Sequence, residues 1–347
     1  MAYFKTSLDD LPALDAAGRE HAERVTAHLV EQVDAHDGFL PFDRYMELVL
    51  YAPGLGYYSA GSEKLGAGGD FVTAPLISPL FSQVLAQFIK PHLQAGDAIL
   101  ELGAGTGVMA RDMLASAVVQ QSRQPQYCIL EASADLRQRQ QQTLSDYAMQ
   151  VNWLDQLNDD QSFHGLIVGN EEVDAMPVRR FVLQGGQVLE LGVGTDASGL
   201  CWLTRGGDSR FSQQVLACLP LPVEQYPDGY CSEYRPSIGG WLDALYRHMG
   251  SGLVVLLDYG FERQDYYQPA RRNGTMRGYY RHHLIEDPLM IPGMMDLTAS
   301  VDFTELAEQA VAQGFQVAGY TTQASFLIEN GLLEQEHATL AAGDADA

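Results

Sequence analysis

Residues Ile99–Gly107 read ILELGAGTG, and this stretch decides the fold. The apolar run Ala98–Leu102 has the length of a buried strand, and three glycines follow it. Beyond the glycines, apolar residues recur at helical spacing, which predicts that a helix begins at the turn: Ala110, Met113, Leu114, Ala117 and Val118. The stretch therefore predicts a strand, a tight turn and a helix in succession.

The same rhythm continues along the chain. Runs of strand length alternate with helical patterns such as Ser133–Leu144, and this alternation predicts an α/β fold with a doubly wound, Rossmann-like parallel sheet. The pair Gly185-Gly186 inside Phe181–Leu191 predicts an added hairpin. The predicted parallel strands are Ala98–Leu102, Tyr127–Leu130, Val151–Leu154, Gly165–Val168 and Leu253–Leu257.

The chain divides into two predicted parts. Residues 1–95 carry helical stripes and are predicted to form an N-terminal helical cap that contributes to the ligand site. Residues 96–347 form the predicted core, with an irregular insertion around 205–250. A last helix is expected to end at Gly314, and Phe315–Tyr320 and Ser325–Ile328 are predicted to be an antiparallel edge pair.

Composition excludes several classes of protein. The chain has 45 acidic and 21 basic residues, a net charge of −24 that disfavours binding to phosphate backbones, so no nucleic acid partner is expected. Its four cysteines lack the spacing of a metal site, and no metal is expected. There is no run of 18 apolar residues and no leader pattern, so neither a membrane span nor secretion is expected. These features predict a cytoplasmic protein, and a homodimer is compatible with them.

The glycine turn predicts the ligand. Its spacing is G-x-G-x-G, and Val108 stands where a dinucleotide-binding turn would carry its third glycine. The acidic Glu101 beside the turn suits a cationic amino-acid ligand better than a phosphate. The turn is therefore predicted to bind S-adenosylmethionine, through Glu101, Gly103, Ala104, Gly105 and Gly107.

Two further acids follow the next two strands. Glu131 ends the second strand, where a carboxylate can accept both ribose hydroxyl groups. Asp155 follows the third strand and could accept a hydrogen bond from the adenine amino group, with Trp153 or Leu154 packing nearby. Each acid alone could be a solvated strand end, but ligands of open α/β sheets bind at the carboxyl ends of strands.

The acceptor site is predicted after the fourth strand, in Asn170–Pro177 (NEEVDAMP). Glu171 and Asp174 are crowded carboxylates, and a guanidinium is the cation whose paired donors suit them best. Glu172 is expected to point towards solvent. The alternative is that these acids simply begin a helix, where they are favoured in any case.

At this point the chain resembles the MidA-type S-adenosylmethionine-dependent methyltransferases, whose mitochondrial members are arginine methyltransferases that assist assembly of respiratory complex I. The resemblance extends from about residue 40 to residue 330. The matching stretches are Tyr45–Leu50, Gly56–Tyr58, Gly69–Pro75 (GDFVTAP) with Ser78 and Phe81, the ELGAGTG turn, NEEVDAMP, Asp258–Gly260, Gly274–Tyr279 and Asp296–Phe303.

The resemblance implies roles for individual residues. Thr73, Pro75 and Ser78 would fold over the methyl donor, and Asn170 and Glu171 would face the reacting centre. It implies arginine N-methylation by in-line methyl transfer to a protein with an accessible arginine. The basic run Arg271–His283 (RRNGTMRGYYRHH) either closes the cleft, neutralises the acidic acceptor site or is a solvated loop.

Three other functions remain open from the sequence. The chain could bind the donor without turnover as an assembly chaperone, because a fold does not guarantee its usual activity. It could also methylate a small amine. A nucleotide-dependent oxidoreductase is the third, and Val108 disfavours it.

Overall fold

The computed structural model describes residues 11–59, 73–116, 119, 125–157 and 162–337. Its helices are α1 (Ala16–Ala35), α2 (Phe42–Tyr51), α3 (Ala74–Ile77), α4 (Pro79–Ile89), α5 (Val108–Ala115), α6 (Ala134–Thr143), α7 (Ser209–Cys218), α8 (Ile238–His248), α9 (Arg263–Tyr266), α10 (Phe303–Gln313) and α11 (Gln323–Glu329). Its strands are β1 (Leu40–Pro41), β2 (Ala98–Leu102), β3 (Gln126–Leu130), β4 (Val151–Leu154), β5 (Phe163–Asn170), β6 (Arg179–Gln184), β7 (Gln187–Asp196), β8 (Gly199–Gly206), β9 (Tyr230–Tyr234), β10 (Met249–Leu257), β11 (Gly260–Phe261), β12 (Arg277–Tyr280), β13 (His283–Ile285), β14 (Asp296–Thr298) and β15 (Val301–Asp302).

A parallel sheet forms the centre of the molecule. Among the described residues its strand order is β10-β5-β2-β3-β4, and every neighbouring pair is parallel. The chain runs outward from β2 through β3 to β4 and then returns to the other side of β2. The resulting switch point lies between β2 and β5, where ligands of doubly wound sheets bind. The predicted fold class is confirmed.

Both faces of this sheet are covered by helices. Ile99 and Leu100 are fully buried in separate clusters, since neighbouring strand residues point to opposite faces. The Ile99 cluster contains Leu85 of α4 and Met113 of α5. The Leu100 cluster contains Leu245 of α8. Because helices pack on both faces of the sheet, β2 is held in place with its carboxyl end at the switch point.

A second, antiparallel sheet packs against the N-terminal helices. Its order is β1-β7-β6-β9, and β8 pairs with β7. The predicted hairpin is confirmed: Gly185 and Gly186 join β6 to β7 with φ of 57° and 74°, the left-handed conformation that such turns require. Helices α1 and α2 bury Leu29 and Tyr45 in this part of the core.

Two local predictions are wrong. Residues 205–250 are regular rather than irregular, because α7, β9 and α8 lie there and β9 pairs with β6. Ser325–Ile328 belongs to helix α11, and residues 315–322 carry neither helix nor strand. The Thr322 side chain accepts a hydrogen bond from the Ser325 backbone nitrogen, which starts a helix where a strand was expected.

Some predictions fall outside the described residues. They are the Gly69–Val72 part of GDFVTAP, residues 60–69 of the glycine-rich loop, and Ala117 and Val118 of the helix after the turn. The division at residue 95 stays a prediction. Within the part of the chain that the structure describes, no helix has the length and apolarity needed to cross a membrane.

Candidate active site

The turn after β2 has a backbone conformation that glycine adopts more readily than other residues. Gly103, Gly105 and Gly107 have φ of 59°, 51° and 81°, all in the left-handed region. Other residues rarely occupy that region, because their Cβ crowds the backbone. Gly107 also begins helix α5. The three glycines thus let the chain pass from strand to helix with its backbone open to a ligand.

A cleft of about 420 Å³ lies against this turn. Seven of the residues predicted from sequence line it: Thr73, Pro75, Glu101, Gly103, Ala104, Gly105 and Asn170. Leu76, Thr106, Val108 and Met109 complete the lining.

The segment that faces the turn is a short helix followed by a longer one. Thr73 caps α3, and Pro75 occupies its first turn and is buried. Ser78 does not line the cleft; its hydroxyl accepts a hydrogen bond from the Leu80 backbone nitrogen and caps α4. The structure therefore brings Thr73 and Pro75 to the cleft and uses Ser78 to fix the helix behind them.

Glu101 is buried beneath the turn, with 2% of its surface exposed. The Tyr127 hydroxyl donates a hydrogen bond of 2.7 Å to its carboxylate. Burial raises the pKa of Glu101 to about 7, although the bond from Tyr127 opposes that rise. No described basic residue contributes to this pKa, and a buried acid of this kind favours a cationic ligand nearby.

Glu131 is held by two donors at the end of β3. Its Oε1 accepts from the Ser133 backbone nitrogen at 2.8 Å, and its Oε2 accepts from Gln140 Nε2 at 2.9 Å. Burial raises its pKa, and these hydrogen bonds lower it in part. Because both oxygens are already oriented, the carboxylate is fixed before any ligand arrives.

Gln140 is a residue that sequence reasoning missed. It is fully buried on α6 and also donates to the Gly105 carbonyl at 3.0 Å, while its Oε1 accepts from Trp153 Nε1 at 2.9 Å. One amide thus ties the glycine turn, Glu131 and β4 together. A glutamine inside a helix carries no motif, so only the fold reveals this role.

The two predicted adenine residues lie at the outer end of the site. Leu154 is partly buried at the end of β4. The Asp155 side chain is 85% exposed and forms an ion pair of 2.6 Å with Arg137. Neither lines the cleft, so an adenine contact at Asp155 stays a prediction.

The predicted acceptor loop begins where β5 ends beside the turn. Glu171 has φ of 54°, an uncommon value outside glycine, and its backbone nitrogen donates to Leu257 O at 2.8 Å. Burial, with the nearby carboxylates of Asp174 and Asp296, raises the pKa of Glu171 to about 8. Non-glycine residues in this conformation cluster at functional sites.

Glu172 does not point away to solvent, and that expectation is wrong. Its carboxylate lies on the backbone of Gly103, so that a Cβ at position 103 would overlap Glu172 Oε2. Burial raises the pKa of Glu172 to about 7, and Glu131 and Asp174 add to the rise. The loop folds back over the turn because the switch point places the ends of β2 and β5 side by side.

Asp174 is 3% exposed and belongs to a buried network. The Tyr259 hydroxyl donates to its Oδ2, while its Oδ1 has no hydrogen-bond partner among the described residues. Asp258 Oδ2 accepts from the backbone nitrogens of Val173 and Asp174 at 3.0 and 3.1 Å. Arg235 donates to the Asp174 carbonyl at 3.3 Å. Asp258 and Tyr259 therefore fix the loop and leave one buried oxygen of Asp174 available.

Tyrosines and a further acid complete the surroundings. Asp296 accepts a hydrogen bond of 2.7 Å from the Tyr58 hydroxyl, and Tyr58 stacks on Tyr51. Tyr279 lies opposite Asp296 in the β12–β14 pair. Sequence reasoning included Tyr58, Asp258 and Asp296 in its matching stretches without giving them a role. Their positions in those stretches were the signal that could have found them.

The basic run Arg271–His283 is only partly a loop. Residues 277–280 form β12, and Arg271 lies 4.0 Å from the ring of Phe261. Asp174, Asp296 and Glu171 help to raise the pKa of Tyr279, after burial, which is the larger cause. Arg277 of the same strand opposes this rise, so the run brings both Tyr279 and a basic residue towards the acids.

Comparison with known proteins identifies the class that this fold and site define. Residues 80–321 match a family described as "Putative S-adenosyl-L-methionine-dependent methyltransferase". The protein is thus an S-adenosylmethionine-dependent methyltransferase, and S-adenosylmethionine is its methyl donor. The chain belongs to this family, since the match covers more than half of it.

Solved structures support the assignment. The chain is similar to a protein from Burkholderia thailandensis that was crystallised with S-adenosyl-homocysteine bound. The two share 35% identity and a TM-score of 0.89, over 97% of this chain and 88% of the other. A second, native structure from that organism has 36% identity and a TM-score of 0.84, over 93% of this chain and 84% of the other.

Curated relatives include mitochondrial proteins named protein arginine methyltransferase NDUFAF7. The one from Mus musculus is 28% identical over 91% of this chain and 77% of its own length. The mitochondrial names of such relatives contradict the expected cytoplasmic location. That expectation depended on unpaired cysteines and on the N-terminal sequence. Unpaired cysteines indicate only a reducing environment and do not distinguish one compartment from another.

Proposed function

We propose that this methyltransferase transfers its methyl group to an arginine side chain of a protein substrate. The observation that carries the proposal is the grouping of Glu171, Asp174 and Asp296 next to Asn170, which lines the donor cleft. Like charges this close are unfavourable until a cation joins them. The names of the curated relatives support the same acceptor.

A guanidinium fits this group of acids better than an ammonium. Its planar donors match carboxylate oxygens in pairs, and it remains charged at any pH the protein experiences. Asp174 Oδ1 is buried and lacks a partner among the described residues, so it can accept one such donor. Glu171 can accept a second from the half-buried side of the loop.

The residues have separate tasks in this proposal. S-adenosylmethionine, when bound, supplies a methyl carbon that its sulfonium already activates. The glycine turn, Thr73 and Pro75 would hold it, and Glu131 would accept its ribose hydroxyls. Asn170 would separate the two sites, and Asp174 would orient the guanidinium so that one nitrogen faces the methyl carbon.

Charge balance requires the loss of one proton. The new N–C bond forms as the S–C bond breaks, and the methylated guanidinium keeps its single positive charge. One N–H proton therefore leaves, and Glu171 is the carboxylate placed to accept it and pass it to water. Its raised pKa of about 8 suits a group that must exchange a proton near neutral pH.

The test compares Glu171→Gln with Glu224→Gln, an exposed acid away from the site. Radiolabelled donor is incubated with lysate of a strain that lacks the gene, and labelled residues are identified by mass spectrometry. We expect wild type and the control to label arginine in a protein. Glu171→Gln should bind donor normally and lose about 10²-fold or more in transfer, the scale of one electrostatic contact in the transition state.

Other outcomes would contradict the proposal. Label on a small molecule or on a residue other than arginine would exclude the proposed acceptor. Wild-type transfer by Glu171→Gln would remove the acidic loop from the reaction. Donor binding without label in any fraction would favour an assembly role without turnover.

A further inference from the structure

Glu172 lies at the donor turn although it belongs to the acceptor loop. It is two residues beyond the end of β5, and its Oε2 occupies the position that a side chain at Gly103 would need. A glycine at position 103 therefore does more than permit the turn. It leaves room for a carboxylate to reach the backbone beside the cleft.

The surroundings of this carboxylate are acidic. Glu131 at the end of β3 and Asp174 in the same loop both raise its pKa, after burial, which is the larger cause. On the α2 side, Glu172 in turn raises the pKa of the Tyr51 hydroxyl, for which burial is again the larger cause. Among the residues that the structure describes, no basic side chain contributes to the pKa of Glu172. The free protein thus holds an acid that a cationic group would stabilise.

We propose that Glu172 binds the α-ammonium group of the methyl donor. S-adenosylmethionine carries two cationic centres, the sulfonium and the ammonium, and only the ammonium can donate hydrogen bonds to a carboxylate. The α-carboxylate of the same ligand would be repelled. A carboxylate set on the glycine turn is therefore matched to the amino group of the methionine part.

This assignment links the two sites through adjacent residues. An ammonium that pairs with Glu172 also fixes the backbone of Glu171, which already has a left-handed conformation. Donor binding would then order the loop that meets the acceptor. The inference depends on the donor alone and not on arginine as acceptor. It can therefore fail while the proposed function holds, and the proposed function can fail while the inference holds.

The experiment compares two ligands. S-adenosyl-homocysteine has the ammonium, and 5′-methylthioadenosine has the same nucleoside without the amino-acid part. Calorimetry at pH 8 measures the affinity of both ligands for wild type, for Glu172→Gln and for the exposed control Glu224→Gln. We expect Glu172→Gln to weaken S-adenosyl-homocysteine about 10- to 100-fold, as loss of a hydrogen bond to a charged group predicts. It should leave 5′-methylthioadenosine unchanged.

A pH series gives a second readout. Wild-type affinity for S-adenosyl-homocysteine, divided by that for 5′-methylthioadenosine, should rise between pH 6 and pH 8, because Glu172 loses its proton there. The ratio cancels the titration of Glu131, which would act on the nucleoside of both ligands. Glu101 also has a pKa of about 7 and titrates in both proteins, so the ratio in Glu172→Gln should rise less steeply than in wild type.

Two outcomes for Glu172→Gln contradict the proposal. Equal losses for both ligands would make Glu172 a structural support of the turn. Unchanged affinity for both would exclude a contact. If Glu172→Gln binds neither ligand, Glu172→Asp is measured instead, because it keeps the charge and shortens the reach by one methylene. Selective weakening of S-adenosyl-homocysteine by Glu172→Asp supports the proposal, and any other pattern overturns it.

Discussion

Replacing Gln140 by leucine tests whether one buried amide organises the donor site. The substitution keeps an apolar residue of similar size on α6 but removes three hydrogen bonds, to Gly105 O, to Glu131 Oε2 and from Trp153 Nε1. Two of these join neutral groups, about 1 kcal/mol each, and the bond to the Glu131 carboxylate contributes about 1.5–3 kcal/mol. The expected loss in free energy of unfolding is therefore about 3.5–5 kcal/mol.

This loss can be converted into a melting temperature. An unfolding entropy of about 2.1 cal/mol/K per residue gives about 0.7 kcal/mol/K for 347 residues, so the midpoint should fall by about 5–7 °C. Because Glu131 and the turn lose their common anchor, affinity for S-adenosyl-homocysteine should also fall about tenfold, or about 1.4 kcal/mol. Differential scanning calorimetry and isothermal titration measure the two quantities.

The matched control is Gln141→Leu, the same change on the next, exposed residue of the helix. It should alter neither quantity by more than a fraction of these amounts, because exposed substitutions usually have small effects. If Gln140→Leu melts and binds like Gln141→Leu, the three hydrogen bonds do not hold the site. If Gln140→Leu loses stability but keeps its affinity for S-adenosyl-homocysteine, Gln140 supports the fold and does not organise the donor site.

Three further changes test the site in other ways. Gly105→Val places a branched side chain at φ of 51° and should abolish S-adenosyl-homocysteine binding in calorimetry of the folded variant; undiminished affinity would exclude this turn. Asp258→Asn weakens the acceptor for the Val173 and Asp174 nitrogens, so methyl transfer should fall about tenfold at nearly unchanged donor affinity; equal transfer rates would show that Asp258 does not position the loop. Because the pKa of Glu171 is about 8, transfer should rise about tenfold from pH 6 to pH 7 and level off above pH 8, whereas Glu171→Gln should have a flat profile. Stability should change in the opposite direction, because a carboxyl whose pKa is higher in the folded than in the unfolded state stabilises the fold less as the pH rises to about 8. The melting temperature of wild type should therefore fall relative to that of Glu171→Gln over this range, and a constant difference would contradict the raised pKa of Glu171.

The sequence determined the parallel sheet and the glycine turn. Ala98–Leu102 and Val151–Leu154 are strands with the predicted bounds, because a short and mostly apolar run is typical of a buried parallel strand. Gly103, Gly105 and Gly107 all have the left-handed backbone for which glycine is suited. These features follow from local chemistry, so they can be read without knowing what lies nearby. The predicted strand at Ser325–Ile328 is wrong, because a short apolar run is compatible with a helix as well as with a strand.

Only the tertiary structure decided which side chains meet. Gln140 contacts Gly105 across 35 residues, and Tyr58 contacts Asp296 across 238. Glu172 was expected to face solvent, yet the switch point between β2 and β5 places it on Gly103. Contacts of this kind depend on strand order and on the direction of the loop after each strand. A periodic pattern specifies neither, so it places residues on elements but cannot say which elements become neighbours.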